Sequence, residues 1–265
     1  MKLICPICGK PLVKQERSAL CEQRHCFDYA KSGYLNLLRS SGGEHGDNAA
    51  MVQARTAFLE TGAYSFLREM IASVLNEEPV DVFADLGCGE GYYTGMCPGN
   101  EKYGFDLSKA AVTRASRTDK TTRYAIASIF HLPLPDASVD AALTCFAPAA
   151  GEELERILKP GGRFVFVQPA ARHLYELKDV LYESPYENDE TPPVLPESLH
   201  MEKERIMTRM FHTDNASLMN LFQMTPYAYK TGAEGKARLE KVPFLDITAS
   251  FVVRVYRRAG SSSIS

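Results

Sequence analysis

The stretch VDVFADLGCGEGYYTG, residues 80–95, decides the fold of this chain. An apolar run leads into a turn that holds Gly87, Gly89 and Gly91 at the spacing G-x-G-x-G, with Asp85 just ahead. A dinucleotide fingerprint would read G-x-G-x-x-G and would place a pyrophosphate over a helix N-terminus. The tighter spacing and the preceding acid favour a ligand that has no phosphate and carries an ammonium group. S-adenosylmethionine is such a ligand, and the pattern predicts that Asp85, Gly87 and Gly89 bind it.

Three later segments supply further predicted contacts to this ligand. Asp106 ends the next apolar run, nineteen residues after Gly87, where a carboxylate can accept both hydroxyl groups of a ribose. Ser128 and Ile129 follow the third run, where an adenine edge would lie. Residues 158–162, LKPGG, are predicted to form a turn before the fifth apolar run. Each signal occurs in many proteins, but their order and spacing together predict S-adenosylmethionine binding.

Strand and helix patterns alternate around the loop, which predicts a parallel sheet with helices on both faces. Two late runs, ERIMTRMFH (204–212) and ITASFVVRVYRR (247–258), suit an antiparallel hairpin at one edge of that sheet. The predicted fold class is therefore α/β, a Rossmann-like class I methyltransferase. Its sheet is expected to be mostly parallel and seven-stranded, with the antiparallel hairpin at its edge.

The N-terminal stretch CPICGKPLVKQERSALCEQRHCF offers five groups that can hold a metal ion. Cys5 and Cys8 form a C-x2-C pair, and after twelve intervening residues Cys21 is followed by His25 and Cys26. A zinc ribbon closes its tetrahedron with two ligands on a tight knuckle, a loop and two more ligands. The spacing favours neither His25 nor Cys26 as the fourth ligand. A closed site has no open position for water, so the predicted role is structural and RNA-positioning.

The charge of the chain is unevenly distributed. The net charge is −3, but residues 1–40 hold seven Lys or Arg against three Asp or Glu, so the remainder sums to −7. A basic module on an acidic body is typical of a docking surface for phosphates, and a solvated charged face gives the same pattern. Lys14, Arg24 and Lys31 are the candidate phosphate contacts.

Composition is that of an ordinary globular chain, with 45% hydrophobic and 24% charged residues. No apolar run approaches the roughly 20 residues that span a bilayer, and the start lacks the apolar region of a signal peptide. We therefore expect a cytoplasmic protein with no membrane partner. Seven cysteines in a reducing compartment favour metal binding over a disulfide framework.

Four segments are expected along the chain. Residues 1–38 form a small zinc-ribbon-like module that recognises RNA, and residues 39–78 hold a polar linker and two helices. Residues 79–260 form the methyltransferase domain that binds S-adenosylmethionine. Residues 261–265 form a disordered tail.

Several segments spread along the chain carry a resemblance to a known family. They are CPICGKPL, RHCFDYAKSGYLNLL, GDNAAMVQARTAFLETGAY, DLGCGEGYYT, GFDLSKAAV, LPLPDASVDA, FAP, ELERILKPGG, RHLYELK and MTPYAYK. Together they resemble the bacterial 23S ribosomal RNA guanine-N1 methyltransferases, a family that includes members associated with tylosin resistance. The glycine loop and LKPGG are shared by many methyltransferases, whereas the N-terminal block and ARTAFLETGAY are specific. The resemblance covers nearly the full length.

The resemblance implies a set of zinc ligands. In the family, zinc is held by the residues that match Cys5, Cys8, Cys21 and His25. Cys26 falls where the family does not require a cysteine and is then the spare group. The implied cofactors are therefore a zinc ion and S-adenosylmethionine.

The resemblance also implies contacts and partners. Tyr64, Tyr93, Thr94 and His173 match residues through which the family contacts S-adenosylmethionine. A homodimer is implied that grips a hairpin of 23S rRNA between zinc modules and catalytic domains. The implied target is one of two nearby guanines close to the peptide exit tunnel, and the sequence does not choose between them.

Methylation of guanine N1 requires access to an atom inside a Watson–Crick pair and removal of its proton. A base is expected beside the end of the fourth strand, but CFAPAAG (145–151) supplies no acid, so the catalytic residues are unassigned. Phe146 suits stacking on the target base or packing in the core, and Glu90 is expected to be a surface acid. Two rival hypotheses are a small-molecule methyltransferase and a catalytically silent RNA-binding or ribosome-assembly protein.

Overall fold

The computed structural model describes residues 3–38 and 46–260. Most of the predicted linker, 39–45, and the predicted disordered tail, 261–265, lie outside the described residues. Within the described ranges, no helix is both long enough and apolar enough to cross a membrane. All seven cysteines are described, and all are free thiols.

The first described segment folds as a small ribbon. Strands β1 (Val13–Gln15), β2 (Ser18–Leu20) and β3 (Cys26–Asp28) pair in antiparallel fashion in that order. Strand β4 (Leu35–Asn36) follows and belongs to a different sheet. Three strands of three residues bury too little apolar surface to be stable alone, so the ribbon depends on a metal or on its neighbours.

A larger sheet of eight strands forms the body of the molecule. After β4, its strands are β5 (Val82–Leu86), β6 (Glu101–Asp106), β7 (Thr122–Ile126), β8 (Val139–Cys145), β9 (Leu158–Pro169), β10 (Leu199–Asp214) and β11 (Phe244–Arg258). The helices are α1 (Ala49–Glu60), α2 (Ser65–Leu75), α3 (Lys109–Thr118), α4 (Gly151–Ile157), α5 (Tyr175–Leu181), α6 (Asn215–Gln223), α7 (Tyr227–Lys230) and α8 (Ala233–Leu239), with a 3-10 turn at Thr94–Met96. The spatial order of the strands is β10-β11-β9-β8-β5-β6-β7-β4.

The predicted α/β class with a mostly parallel sheet is confirmed, but the sheet has eight strands rather than the predicted seven. The additional strand is β4, which pairs in parallel with β7. The Leu37 N–H extends this pairing by donating to the Ile126 carbonyl at 2.9 Å. A strand of two residues is too short to produce a detectable alternation of apolar and polar residues in the sequence. In the structure it covers the edge of β7, which would otherwise be open.

The antiparallel edge predicted from the two late runs is also present. Strand β11 pairs with both β9 and β10 in antiparallel fashion, and β10 is the outer strand. The connection between β10 and β11 is not a tight turn, because helices α6, α7 and α8 lie within it. These short helices bring Tyr227 and Tyr229 to the end of the sheet where the other strands finish.

Helix α1 runs alongside this end of the sheet. The Asn48 side chain caps it by accepting a hydrogen bond from the Met51 N–H at 3.0 Å. Met51, Phe58 and Leu59 are buried along one face of the helix. Phe58 and Leu59 share a hydrophobic cluster with Phe83 of β5, so α1 is held firmly against the sheet.

The chain order of the strands reverses at β5, which lies between β6 and β8. In open α/β sheets, ligands bind in the crevice at the carboxyl ends of the strands where this reversal occurs. The glycine turn follows β5 directly. The fold therefore places the predicted S-adenosylmethionine loop at the crevice.

Candidate functional site

Four N-terminal side chains come together at the two knuckles of the ribbon. The ligand atoms of Cys5, Cys8, Cys21 and His25 all lie within 4.8 Å of one another. Cys8 Sγ and Cys21 Sγ are 3.6 Å apart, and His25 Nδ1 lies 3.4 Å from the sulfurs of Cys5 and Cys21. Tetrahedral zinc has bonds of about 2.3 Å to sulfur and about 2.0 Å to nitrogen. Its ligand atoms are then about 3.8 Å apart for two sulfurs and about 3.5 Å apart for a sulfur and a nitrogen. The four groups therefore fit a zinc ion, whereas Cys26 is exposed and outside the cluster.

A cleft of about 610 Å³ opens at the carboxyl ends of β5, β6, β8 and β9. It contains most of the residues predicted to bind S-adenosylmethionine. Those that line it are Tyr64, Gly87, Gly89, Tyr93, Asp106 and His173. The three predicted contacts outside its lining are Asp85, Thr94 and Ser128.

Asp106 is held rigidly at the end of β6. Its Oδ2 accepts the Gly89 N–H at 2.9 Å, and its Oδ1 accepts the Ser108 N–H at 2.7 Å. Each oxygen keeps a further lone pair that can accept a ligand hydroxyl group. Burial raises the pKa of Asp106, and the two backbone N–H groups act against that rise. This arrangement suits the recognition of a ribose.

Gly87 permits the close approach of two loops at the cleft. Its φ is +81°, a left-handed conformation in which side chains are strained. A Cβ at this position would stand 2.6 Å from the Ala147 Cβ, well inside van der Waals contact. The Gly87 N–H donates to the Phe105 carbonyl at 2.8 Å, which ties the loop to β6.

Asp85 and Thr94 lie buried beneath the glycine loop. The Thr94 hydroxyl donates to Asp85 Oδ2 at 2.6 Å, while Asp85 Oδ1 has no hydrogen-bond partner among the described residues. Burial raises the pKa of Asp85 to about 7, against the Thr94 hydrogen bond, which lowers it. A buried carboxylate with a free oxygen is stabilised by a nearby cation, so this group fits a ligand that carries an ammonium.

Ser128 lies just beyond the end of β7 and outside the lining of the cleft. The Ala127 N–H donates to the Asp106 carbonyl at 3.2 Å, which fixes the chain immediately before Ser128. The Ser128 carbonyl and hydroxyl oxygens accept the N–H groups of His131 and Phe130, at 3.1 and 3.3 Å. These bonds shape 127–134 into a compact loop, which we call the β7 loop.

His173 and Tyr64 meet at the inner wall of the cleft. The Tyr64 hydroxyl lies 3.4 Å from His173 Nε2, and the Ser250 N–H donates to His173 Nδ1 at 3.2 Å. Because Nδ1 accepts a hydrogen bond, the neutral imidazole carries its proton on Nε2. Burial, followed by the charge of Lys178, lowers the pKa of His173 to about 3. At neutral pH His173 is therefore an uncharged donor and is not a proton acceptor at Nε2.

Arg55 is a candidate functional residue that the sequence analysis missed. It lines the cleft from α1, and its guanidinium lies 3.7 Å from the position of a Cβ built on Gly89. Asp47 forms an ion pair with it. Among the described residues of the cleft lining, Arg55 is the one with a permanent positive charge. The sequence signal was a charged residue on the apolar face of a helix, four positions after Met51.

The cleft is also lined by aromatic and amide groups. Phe146 is 44% exposed and has φ +61°, which non-glycine residues rarely adopt. Its N–H donates to the Val167 carbonyl at 3.0 Å, and its ring lies 6.2 Å from that of Tyr93. Gln168 and Tyr229 also line the cleft. Rings and amides are the groups that hold a nucleobase by stacking and hydrogen bonding.

The acidic groups of the cleft lie on the glycine-loop side. Among the described residues of the lining, the carboxylates are those of Asp47, Glu90 and Asp106. Glu90 is largely buried rather than a surface acid, and it accepts the Thr56 hydroxyl at 3.0 Å. Burial raises the pKa of Glu90. Its position between α1 and α3 is that of a structural group.

Comparison with known proteins identifies two matching families. Residues 3–40 match a zinc-ribbon family described as RlmA, N-terminal. Residues 84–166 match a family described as a methyltransferase domain. The first match contains the four-ligand cluster, and the second contains the glycine loop and Asp106.

Two relatives and one solved structure are similar to this chain. The 23S rRNA (guanine(748)-N(1))-methyltransferase of Streptomyces fradiae is 38% identical over 188 residues, which are 68% of this chain and 67% of that protein. A Bacillus subtilis protein with the provisional name of a 23S rRNA (guanine-N1)-methyltransferase is 27% identical and aligns over 92% of this chain and 93% of its own. The YcgJ protein from Bacillus subtilis has a TM-score of 0.52 at 14% identity, over 73% of this chain and 98% of its own, which concerns the fold alone.

Proposed function

Because the chain belongs to the 23S rRNA (guanine-N1)-methyltransferases, we infer that it transfers a methyl group from S-adenosylmethionine to N1 of a guanine in 23S rRNA. The observation that carries this inference is the presence, in one chain, of the four-ligand ribbon and of the Asp106 cleft. A small-molecule methyltransferase has no need of a metal ribbon. A catalytically silent RNA-binding protein has no need to preserve the glycine loop and its buried acid.

We assign the glycine-loop side of the cleft to S-adenosylmethionine. Asp106 accepts the ribose hydroxyl groups, Gly87 and Gly89 let the backbone approach the ligand, and Ser128 lies toward the adenine. Arg55 pairs with the carboxylate of the ligand. This assignment is supported by the remaining lone pairs of the Asp106 oxygens and by the guanidinium beside Gly89.

The remaining predicted contacts complete the donor site from below and behind. Asp85 faces the ammonium group from beneath the loop, and Thr94 orients Asp85 through its hydroxyl. Tyr93, Tyr64 and His173 form the inner wall. With its proton on Nε2, His173 offers a neutral hydrogen-bond donor there.

We assign the zinc ion to Cys5, Cys8, Cys21 and His25. Their separations match a tetrahedral site, and the Ile7 N–H lies 3.4 Å from Cys5 Sγ, where it stabilises a thiolate. All four positions are filled by protein groups, so the ion has a structural role. The exposed basic side chains of the ribbon remain the candidate RNA contacts, among them Lys14, Arg24 and Lys31.

The Phe146 side of the cleft receives the target guanine. Phe146 stacks on the base, and the Gln168 amide can pair with the polar edge that carries O6 and N1. A flipped-out base is required because N1 lies inside the Watson–Crick pair. The strained backbone of Phe146 supports this assignment, since such residues cluster at sites of ligand binding.

The chain contributes to the reaction mainly by alignment. Bound S-adenosylmethionine supplies a sulfonium methyl group that is already a good electrophile. Holding the guanine in line with that methyl group lowers the activation free energy by several kcal/mol, and by about 7 kcal/mol or more in the most favourable cases. Among the described residues of the cleft lining, the carboxylates of Asp47, Glu90 and Asp106 are already paired within the protein, and His173 is not a base at Nε2. The residues that line the cleft therefore position the base, and the N1 proton passes to water as the methyl group moves from sulfur to N1.

Three finer features extend the proposal. The substrate is a hairpin of 23S rRNA, and position 748, named for the Streptomyces fradiae relative, is the first guanine to examine. The active form is a homodimer that presents two ribbons to the RNA, for which sedimentation equilibrium should give about twice 29.4 kDa. The cellular site is the cytoplasm, and cofractionation with large ribosomal subunits tests that location.

Primer extension across the hairpin tests the function. A methyl group on N1 blocks Watson–Crick pairing, so reverse transcriptase should stop next to the modified guanine in RNA from cells that carry the gene. RNA from cells without the gene should be read through. Identical read-through in both would contradict the activity.

In vitro, Phe146→Ala should reduce methylation about tenfold at unchanged donor affinity, because it removes one stacking contact.

The pH dependence of donor binding tests the role of Asp85. With a pKa of about 7 in the free protein, Asp85 is mostly protonated at pH 6 and mostly ionised at pH 8. The ionised form attracts the ammonium group, so the affinity for S-adenosylmethionine should rise about fivefold between pH 6 and pH 7.5, below the usual α-amino pKa of about 7.7–8.0 at which the ligand loses its own charge. Isothermal titration calorimetry measures this rise. The Asp85→Asn variant should bind weakly with a flat profile, and an unchanged slope in that variant would remove Asp85 from the site.

A further inference from the structure

We propose that the N-terminal ribbon is also the rear support of the S-adenosylmethionine site, so that zinc loading raises donor affinity. This inference rests on the proposed function and goes beyond the RNA-positioning role expected of a metal ribbon. It is carried by three contacts between residues 3–38 and the two loops that hold the donor. Two of the contacts come from residues 34–37 and one comes from the first knuckle and the residues beside it.

The first contact reaches the glycine loop. Tyr34 is 5% exposed and belongs to one small cluster with Cys88, Tyr124 and Val112. Cys88 is the residue between Gly87 and Gly89, so the glycine loop and the ribbon segment share one buried cluster. A buried aromatic ring in this position limits the movement of the loop, since protein interiors are close-packed.

The second contact reaches the β7 loop. The Ile4 N–H, next to the metal-cluster residue Cys5, donates to the Pro133 carbonyl at 2.9 Å. Cys5 and Leu12 belong to the same hydrophobic cluster as Ile129 and other apolar residues of the β7 loop. Cys5 is 1% exposed, so part of the metal knuckle is itself packed in the body of the protein.

The third contact is the pairing of β4 with β7. The parallel register ends at Asn36 and Ile126, and the Leu37 N–H then bonds to the Ile126 carbonyl. The next residue, Ala127, is bonded to the carbonyl of Asp106. The ribbon segment is therefore linked through two successive backbone contacts to the acid that accepts the ribose.

These contacts make the ribbon's conformation part of the donor site. Three-residue strands hold their shape through the metal, so loss of zinc would release the segment that packs on the glycine loop and the β7 loop. A loosened loop must be ordered again when the donor binds, which weakens the affinity. By linkage, the donor would in turn strengthen zinc retention by the same factor.

Two adjacent residues of the ribbon provide a matched test. Leu12 is 6% exposed in the shared cluster, whereas Val13 is 46% exposed on β1. In the full-length, zinc-loaded protein, Leu12→Ala should weaken S-adenosylmethionine binding about tenfold in calorimetry, within the usual range of coupling between sites. Val13→Ala, which also removes apolar atoms from the ribbon, should bind the donor as the unchanged protein does.

Hydrogen–deuterium exchange gives a second readout that does not depend on a well-folded variant. Removal of zinc from the unchanged protein by a chelator should increase exchange in residues 127–134 and at the glycine loop, as well as in the ribbon. Increased exchange confined to the ribbon would overturn the inference. So would a Leu12→Ala variant that keeps one zinc ion and the original donor affinity. If the unchanged protein bound no donor at all, the proposed function would fail, while the exchange experiment would still decide the coupling.

Discussion

Replacing Asp106 by alanine should lower the affinity for S-adenosylmethionine by roughly two to four orders of magnitude. Asp106 is the group that can accept both ribose hydroxyl groups, and hydrogen bonds to a charged acceptor contribute about 1.5–3 kcal/mol each. Two such bonds correspond to roughly 10²–10⁴-fold in the dissociation constant. The substitution also leaves the N–H groups of Gly89 and Ser108 without their present acceptor. Equilibrium dialysis or calorimetry measures the change.

The control for this experiment is Asp106→Asn. The amide keeps the shape of the side chain and one acceptor oxygen, so its affinity should fall between those of the unchanged protein and the alanine variant. Thermal unfolding of both variants shows whether the sheet remains intact. A folded Asp106→Ala protein with the original dissociation constant would show that the ribose lies elsewhere.

Replacing Gly87 by alanine should cause the second large loss, in both stability and donor binding. The left-handed backbone costs a side chain about 1–2 kcal/mol, and overpacking against the Ala147 Cβ costs about 1–3 kcal/mol more. A destabilisation of about 2–5 kcal/mol should lower Tm by roughly 5–15 °C in a chain of this size. Movement of the loop away from Ala147 should also displace the loop from the donor. We expect the affinity for S-adenosylmethionine to fall at least a hundredfold.

Gly95→Ala is the matched control for Gly87→Ala. Gly95 lies in the 3-10 turn after the loop, and a Cβ built there meets nothing within 4 Å. Its substitution should leave Tm within about 2 °C, as is usual for changes without steric conflict. Equal losses in both variants would mean that the close approach of the Ala147 segment is not what requires glycine at position 87.

The donor loop and the metal cluster were predictable from the sequence because their signals are local. Gly87, Gly89 and Asp106 stand at fixed distances along the chain, and strands before each motif bring them to one edge of the sheet. Cys5, Cys8, Cys21 and His25 occupy two short knuckles, and the structure brings their ligand atoms together. Spacing alone left His25 and Cys26 open, because the choice depends on how the second knuckle turns.

The other side of the cleft was not predictable, because its residues come from distant parts of the chain. Phe146 follows β8, Gln168 lies near the end of β9, and Tyr229 lies on α7, inserted between the two edge strands. Only the order of strands in space brings them together. Arg55 was missed for a different reason, since its charge on an apolar helix face is a departure from a pattern that otherwise predicts burial.

The two-residue strand β4 has a practical consequence for hybrid proteins. N-terminal modules could be exchanged between relatives by joining the chains at a chosen residue. A junction before Leu35 would combine the metal-binding segment of one relative with the β4 strand of this chain, and Tyr34 would be replaced or displaced. A cut made after residue 38 transfers the knuckles together with the strand and the ring that seat them. An exchanged module then carries with it the residues that pack behind the glycine loop and against the β7 loop.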